Sequence, residues 1–216
     1  ALKQKELPFE VIPRELELPL NSKKIITIPG VRRCGKSKLF YLYQFDLIVH
    51  KIADDNQIIN INLEDRMLTQ KIGLEYDKEN FLTSYDKLLD YIVKHLDPEK
   101  MNYVFIDEIQ LLRDWQIAAN TLRLQDNVDL YLTGSNAYMF SSDLANQLGG
   151  RYVEIKMQPL SFKEYFGAYS QFAQLNAKNH REMQDLHDPI AVYSHYIKES
   201  GFPQTLKLLY DKQLIS

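Results

Sequence analysis

The sequence predicts an α/β fold: a five-stranded parallel sheet flanked by helices, followed by a small helical subdomain. Three observations predict it. Short β-branched runs alternate with helical patterns, the order expected of right-handed βαβ crossovers. The run Tyr103-Val104-Phe105-Ile106 is continuously apolar, as in a strand buried on both faces. Beyond Pro159 the strand signals stop while helical signals continue.

Residues 1–21 carry Pro8, Pro13 and Pro19 with little periodicity, and are expected to form an extended N-terminal arm. Residues 24–28 (Lys-Ile-Ile-Thr-Ile) are the first strand, and a helix is expected from residue 36 to 43 or beyond. After the turn Asp54-Asp55-Asn56, residues 57–63 form the second strand, ending at Glu64-Asp65. Residues 66–78 are polar and are expected to be irregular. Apolar positions 81, 82, 85, 88, 89, 92, 93 and 96 predict a helix over 81–96, closed by Asp97-Pro98.

The third strand, 103–106, runs into Asp107-Glu108. Asp114 is placed as the N-cap of a helix over 115–124. Residues 129–132 are the fourth strand, followed by Thr133-Gly134-Ser135-Asn136. A short helix over 143–148 should stop at Gly149-Gly150, and residues 151–157 alternate as a fifth strand. Ser161 and Glu164 have capping-box spacing. Residues 167–187 show no clear pattern, Asp188-Pro189 starts a helix to about 199, and Gly201-Phe202-Pro203 introduces a last one.

Between the first strand and its helix lies Gly30-Val31-Arg32-Arg33-Cys34-Gly35-Lys36-Ser37, the phosphate-loop pattern G-x-x-x-x-G-K-S. A strand feeding a glycine loop that opens a helix turns successive N–H groups toward an anion. Four fixed positions match by accident in roughly one chain of this length per hundred, and the flanking elements lower that further. The candidate nucleotide-binding residues are Gly30, Val31, Arg32, Arg33, Cys34, Gly35, Lys36, Ser37 and Lys38. Lys36 would reach the β- and γ-phosphates, and the Ser37 hydroxyl would ligate Mg²⁺.

Hydrolysis also needs a carboxylate for the metal and a group to orient water. Asp107-Glu108 ends a buried strand, and ligands of open parallel sheets bind at the carboxyl ends of strands. Asp107 is therefore the candidate metal ligand and Glu108 the candidate base. Thr133, Ser135 and Asn136 lie at the same sheet edge, where one of them would sense the γ-phosphate; the alternative is a mere turn. Arg151 either stabilises phosphate charge or is an ion-paired surface arginine. Asn60, Asn62 and Glu64 read as a polar strand end rather than a partner of Glu108.

Bulk properties exclude several classes. A net charge of −3 implies no strong global attraction to nucleic acid or anionic membranes. Cys34 is the single cysteine, so no intrachain disulfide forms and a reducing cytoplasm is the expected location. It reads as a small loop filler, although its basic surroundings at a helix N-terminus favour a lowered thiol pKa. No run of 18 apolar residues marks a membrane span. The five histidines have no metal-ligand spacing, and no N-K-x-D guanine-reading motif appears, so ATP is favoured over GTP.

Together GVRRCGKS (30–37), FIDEIQ (105–110), LTGSNA (132–137), GGRY (149–152), PLSFKEYF (159–166) and Gly201-Phe202-Pro203 resemble the AAA-plus superfamily of P-loop ATPases. More narrowly, they resemble a bacterial and archaeal group of predicted ATPases with the same motifs in the same order. The resemblance implies a three-layer P-loop NTPase fold with a helical lid, divided as arm 1–21, ATPase core 22–158 and lid 159–216. It gives Lys36, Ser37, Asp107 and Glu108 the Walker A and B roles, with Ser135 or a neighbour as first sensor. Members usually continue into a C-terminal domain, so a fragment or a short member is expected. No second-sensor arginine matches in the lid.

The functional expectation is Mg²⁺-dependent conversion of ATP to ADP and phosphate driving a conformational switch. The alternative is an ATP-gated protein- or DNA-binding module with negligible turnover; a small-molecule kinase is a weaker third. Partners left open are a homo-oligomer and a protein or DNA client reached through a further C-terminal domain.

Overall fold

A computed structural model describes residues 11–134, 148–174 and 188–206. The strands are β1 (Ile25–Pro29), β2 (Ile58–Asn62), β3 (Asn102–Asp107), β4 (Val128–Gly134) and β5 (Tyr152–Glu154). All neighbours pair in parallel, in the order β2-β3-β4-β1-β5. This is the parallel α/β sheet the alternation predicts. Because β1 lies between β4 and β5, with β3 next beyond β4, the loops after β1, β3 and β4 open at one edge of the sheet.

Alternation along the strands divides the core. Val104 and Ile106 face one side with Ile59, Ile61, Leu130 and Leu132, where Trp115, Ala119 and Leu122 of α4 (Trp115–Arg123) join Leu88 and Ile92 of α3 (Tyr85–His95). Tyr103 and Phe105 face the other side, beneath Leu39, Phe40 and Leu47 of α1 (Lys36–Val49). Phe105 stacks on Tyr131 with ring centroids 4.8 Å apart, and Phe40 meets Phe105 edge-on at 5.1 Å. Each such buried side chain stabilises by about 1.5–3 kcal/mol. A third cluster, with Leu160, Tyr165, Val192 and Leu206, joins α5 (Phe162–Gln174) to α6 (Pro189–Glu199).

Several local expectations change. Residues 66–78 are not irregular: α2 spans Arg66–Ile72, with the Asp65 carboxylate accepting from the Met67 and Leu68 N–H groups and Gly73 closing it at φ 89°. Seven residues with few apolar positions leave little periodicity to detect. The helix expected from 81 begins at Tyr85, because Leu82 is drawn into extended bridges with Tyr76 and Leu112. Asp114 holds the N-cap position but makes no side-chain cap and adopts φ 54°. β5 is shorter than 151–157, with Met157 returning only as a bridge to Gly30. The described part of the expected arm, residues 11–21, carries no helix or strand, and Leu18 and Val11 within it are buried, Leu18 against α1. Ser161 and Glu164 do exchange capping-box bonds.

Candidate functional site

The loop after β1 is built by two glycines with separate duties. A Cβ on Gly30 would lie 2.7 Å from the Met157 carbonyl oxygen and 2.8 Å from Cys34 Sγ, so only glycine lets the loop pass. Gly35 turns the chain into α1 at φ 105°, a left-handed conformation that suits glycine. As N-cap it offers no side-chain acceptor, and the first turn of α1 carries no acid. The positive end of a 14-residue helix is thus left with its N–H groups uncapped.

Lys36, only 5% exposed, points its ammonium into the loop. Its Nζ donates to the Gly30 carbonyl at 3.2 Å and lies 3.5 Å from Glu108 Oε1. The Ser37 hydroxyl donates to Asp107 Oδ2 at 2.5 Å. The parallel register thus brings the loop and the β3 end together across an intervening strand, as two oxygen donors beside a cationic cradle. Hard oxygen donors of this kind suit Mg²⁺, so the residues present fit that ion. The surrounding cleft has a volume of about 680 Å³ and is lined by Arg32, Arg33, Lys38 and Glu64, with Pro203 and Gln204 on the C-terminal side.

Two residues organise the acidic pair. Thr133, fully buried at the end of β4, donates its hydroxyl proton to Asp107 Oδ1 and accepts from the Glu108 N–H at 3.1 Å. Its hydroxyl is therefore engaged by the acidic pair on both its donor and its acceptor side. Gln110 donates to Glu108 Oε2 at 2.5 Å. It reaches back because Glu108 adopts φ 56° and residues Ile109–Leu111 wind into a 3₁₀ turn. Glu108 is thus partnered by Lys36 and Gln110, while Asn62 accepts from the Glu64 N–H. Gln110 lies in the run FIDEIQ, but a spacing of two puts side chains on one face only in a strand, and the expected strand ends before it.

Cys34 is buried, and burial pushes its thiol up, outweighing the opposing charges of Lys36 and Arg14. The lowered pKa suggested by its neighbours is therefore corrected: the thiol fills space under Gly30. Ser135 and Asn136 lie outside the described residues. Arg151 is not brought to the loop within this chain. Its carbonyl accepts from the Ile25 N–H at the amino end of β1, whereas the loop leaves the carboxyl end, roughly 16 Å farther on. Among the described residues no His/Cys/Asp/Glu group could hold a metal as a cluster, and no helix is long and apolar enough to cross a membrane.

The chain is similar to several known proteins. An uncharacterized protein of Haemophilus influenzae is 38% identical over 182 residues, covering 84% of this chain and 40% of that protein. Uncharacterized protein MJ1544 of Methanocaldococcus jannaschii is 29% identical over 206 residues, covering 95% and 41%. The chain therefore spans about two fifths of the length of these curated relatives. Among solved structures, the Aeropyrum pernix ORC1 protein in complex with DNA superposes with a TM-score of 0.56 at 16% identity, over 89% of this chain and 54% of that one. Hsp104 from the S. cerevisiae Hsp104:casein complex gives 0.51 at 16%, over 87% and 33%. At such identities the likeness is one of fold, the α/β P-loop NTPase arrangement. The AAA domain pattern itself matches residues 22–166, more than half of the chain and the stretch that holds the phosphate loop, Asp107, Glu108 and Thr133, and the chain belongs to that AAA domain family.

Proposed function

We propose that this chain is an Mg²⁺-dependent ATPase domain that converts ATP to ADP and phosphate and uses the cycle to reset its C-terminal helices. The observation that carries the reading is the uncapped N-terminus of α1 with Lys36, Ser37, Asp107 and Glu108 converging beside it. Backbone N–H groups of the loop, apart from those of Gly30 and Cys34 that donate to the Gly134 and Val31 carbonyls, bind the phosphates, and Lys36 exchanges its contact with Glu108 for the β- and γ-phosphate oxygens. Ser37 and Asp107 would hold Mg²⁺, which when bound neutralises phosphate charge. Glu108, fixed by Gln110, takes a proton from water as its oxygen bonds to the γ-phosphorus; the bond from that phosphorus to the bridging oxygen breaks, and ADP leaves with the electron pair.

In this reading residues 22–158 are the catalytic core, residues 159–216 a lid and the arm 1–21 a support. Exposed Arg151 would serve a neighbouring copy, and the reduced Cys34 suits the cytoplasm. The test is a pair of variants. Lys36→Ala should abolish ATP binding, whereas Glu108→Gln should bind ATP with near wild-type affinity and lose about 10²–10⁴ of turnover. Unchanged turnover in Glu108→Gln would sink the mechanism. Wild-type protein that holds ATP intact for hours would replace it with the ATP-gated binding module.

A further inference from the structure

The arm carries an arginine that lies before the AAA-matched residues and that no motif announces. Arg14 has only 6% of its side chain exposed, and its guanidinium reaches three separate parts of the chain. Nη1 donates to the Cys34 carbonyl at 2.9 Å, Nη2 to the Gln158 carbonyl at 2.7 Å and Nε to Glu164 Oε1 at 2.9 Å. Glu164 is equally buried, and its carboxylate also accepts from the Glu15 and Ser161 N–H groups, each at 2.8 Å.

The three attachment points are specific places. Cys34 immediately precedes Gly35, whose turn aims the first amides of α1 at the cleft. Gln158 follows Met157, whose N–H is bonded to the Pro29 carbonyl where β1 enters the loop. Glu164 lies in the first turn of α5. One planar fork therefore joins the exit of the phosphate loop to the chain's passage from sheet to C-terminal helices. A lysine could not donate in these three fixed directions, because its donors radiate from one nitrogen.

We propose that Arg14 is a positioning residue for the nucleotide site: by holding the Cys34 carbonyl and Glu164 together it fixes the phosphate loop and ties it to the entry of α5. It touches no reacting atom. The kinetic consequence rests on the ATPase reading; the positional one does not.

The test measures hydrogen exchange in the full chain without nucleotide. In Arg14→Lys, which keeps a buried cation opposite Glu164, amides of residues 35–38 and 160–164 should exchange about tenfold faster, with β3 and β4 unchanged. The double variant Arg14→Gln with Glu164→Gln, which leaves no unpaired buried charge, should do the same. Faster exchange confined to the arm, or spread evenly through the sheet, would overturn the proposal. With ATP, Arg14→Lys should raise KM about tenfold while kcat stays within about twofold, since loop geometry governs phosphate binding; a fall in kcat alone would also overturn it. If wild-type protein proves inactive, the ATPase reading fails while the exchange result still decides the role of Arg14.

Discussion

Thr133→Val is the sharpest probe of how the acidic pair is held. Valine has nearly the shape of threonine, so the change leaves no cavity and isolates the hydroxyl. That hydroxyl donates to Asp107 Oδ1 and accepts from the Glu108 N–H at 3.1 Å, with no solvent exposure. Orphaning the buried N–H costs about 1–3 kcal/mol, and losing a charge-assisted bond to the carboxylate about 1.5–3 kcal/mol. Ser37 still donates to Asp107 Oδ2, so the carboxylate is not left bare. Together these come to about 2.5–6 kcal/mol, a large part of the usual 5–15 kcal/mol of a domain. Thr133→Ser keeps both bonds and loses one buried methyl, about 1 kcal/mol. Urea unfolding, with the slope unchanged between variants, reads both numbers. If valine lay within about 0.5 kcal/mol of wild type, or serine cost more than valine, the clamp would not exist as described.

Two further outcomes follow from the packing around the loop. Gly30→Ala puts a methyl 2.7 Å from the Met157 backbone oxygen, which no side-chain rotation relieves. It should cost about 1–3 kcal/mol in thermal unfolding and remove binding of a fluorescent ADP analogue; binding at wild-type affinity would contradict the close-packed loop. Glu164 supplies a pH dependence. Burial pushes its carboxyl up, but hydrogen bonds from the Glu15 and Ser161 N–H groups and from Arg14 outweigh that and hold it below its ordinary value of 4.5. The unfolded chain then binds more protons between the folded pKa and 4.5, so stability present above 4.5 is lost as pH falls through the folded pKa. Wild-type protein should lose stability there more steeply than Glu164→Gln; parallel curves would exclude the contribution.

The phosphate loop was legible because its chemistry lies within eight consecutive residues, and the strand and helix beside it carry local periodicity. Asp107-Glu108 was legible for a related reason, since a buried strand ending in acids marks the carboxyl edge of a parallel sheet. Residues 66–72 were not, because a seven-residue capped helix contributes too few apolar positions to set a period. Arg151 is a different case. Its Gly-Gly-Arg context marks the start of a strand, and strands of a parallel sheet start at the edge opposite the phosphate loop; the bond from the Ile25 N–H to the Arg151 carbonyl holds its backbone there.

The sequence by itself determined the alternation of strands and helices, the two-glycine cradle and the identities of Lys36, Ser37, Asp107 and Glu108, since each depends on neighbours a few residues apart. Only the tertiary structure decided what holds them. Thr133 meets Asp107 across 26 residues, and Arg14 meets Glu164 across 150. Nothing local selects such pairs: each exists because the sheet order and the packed arm bring distant donors and acceptors into the same buried space, where an unpaired polar group is costly.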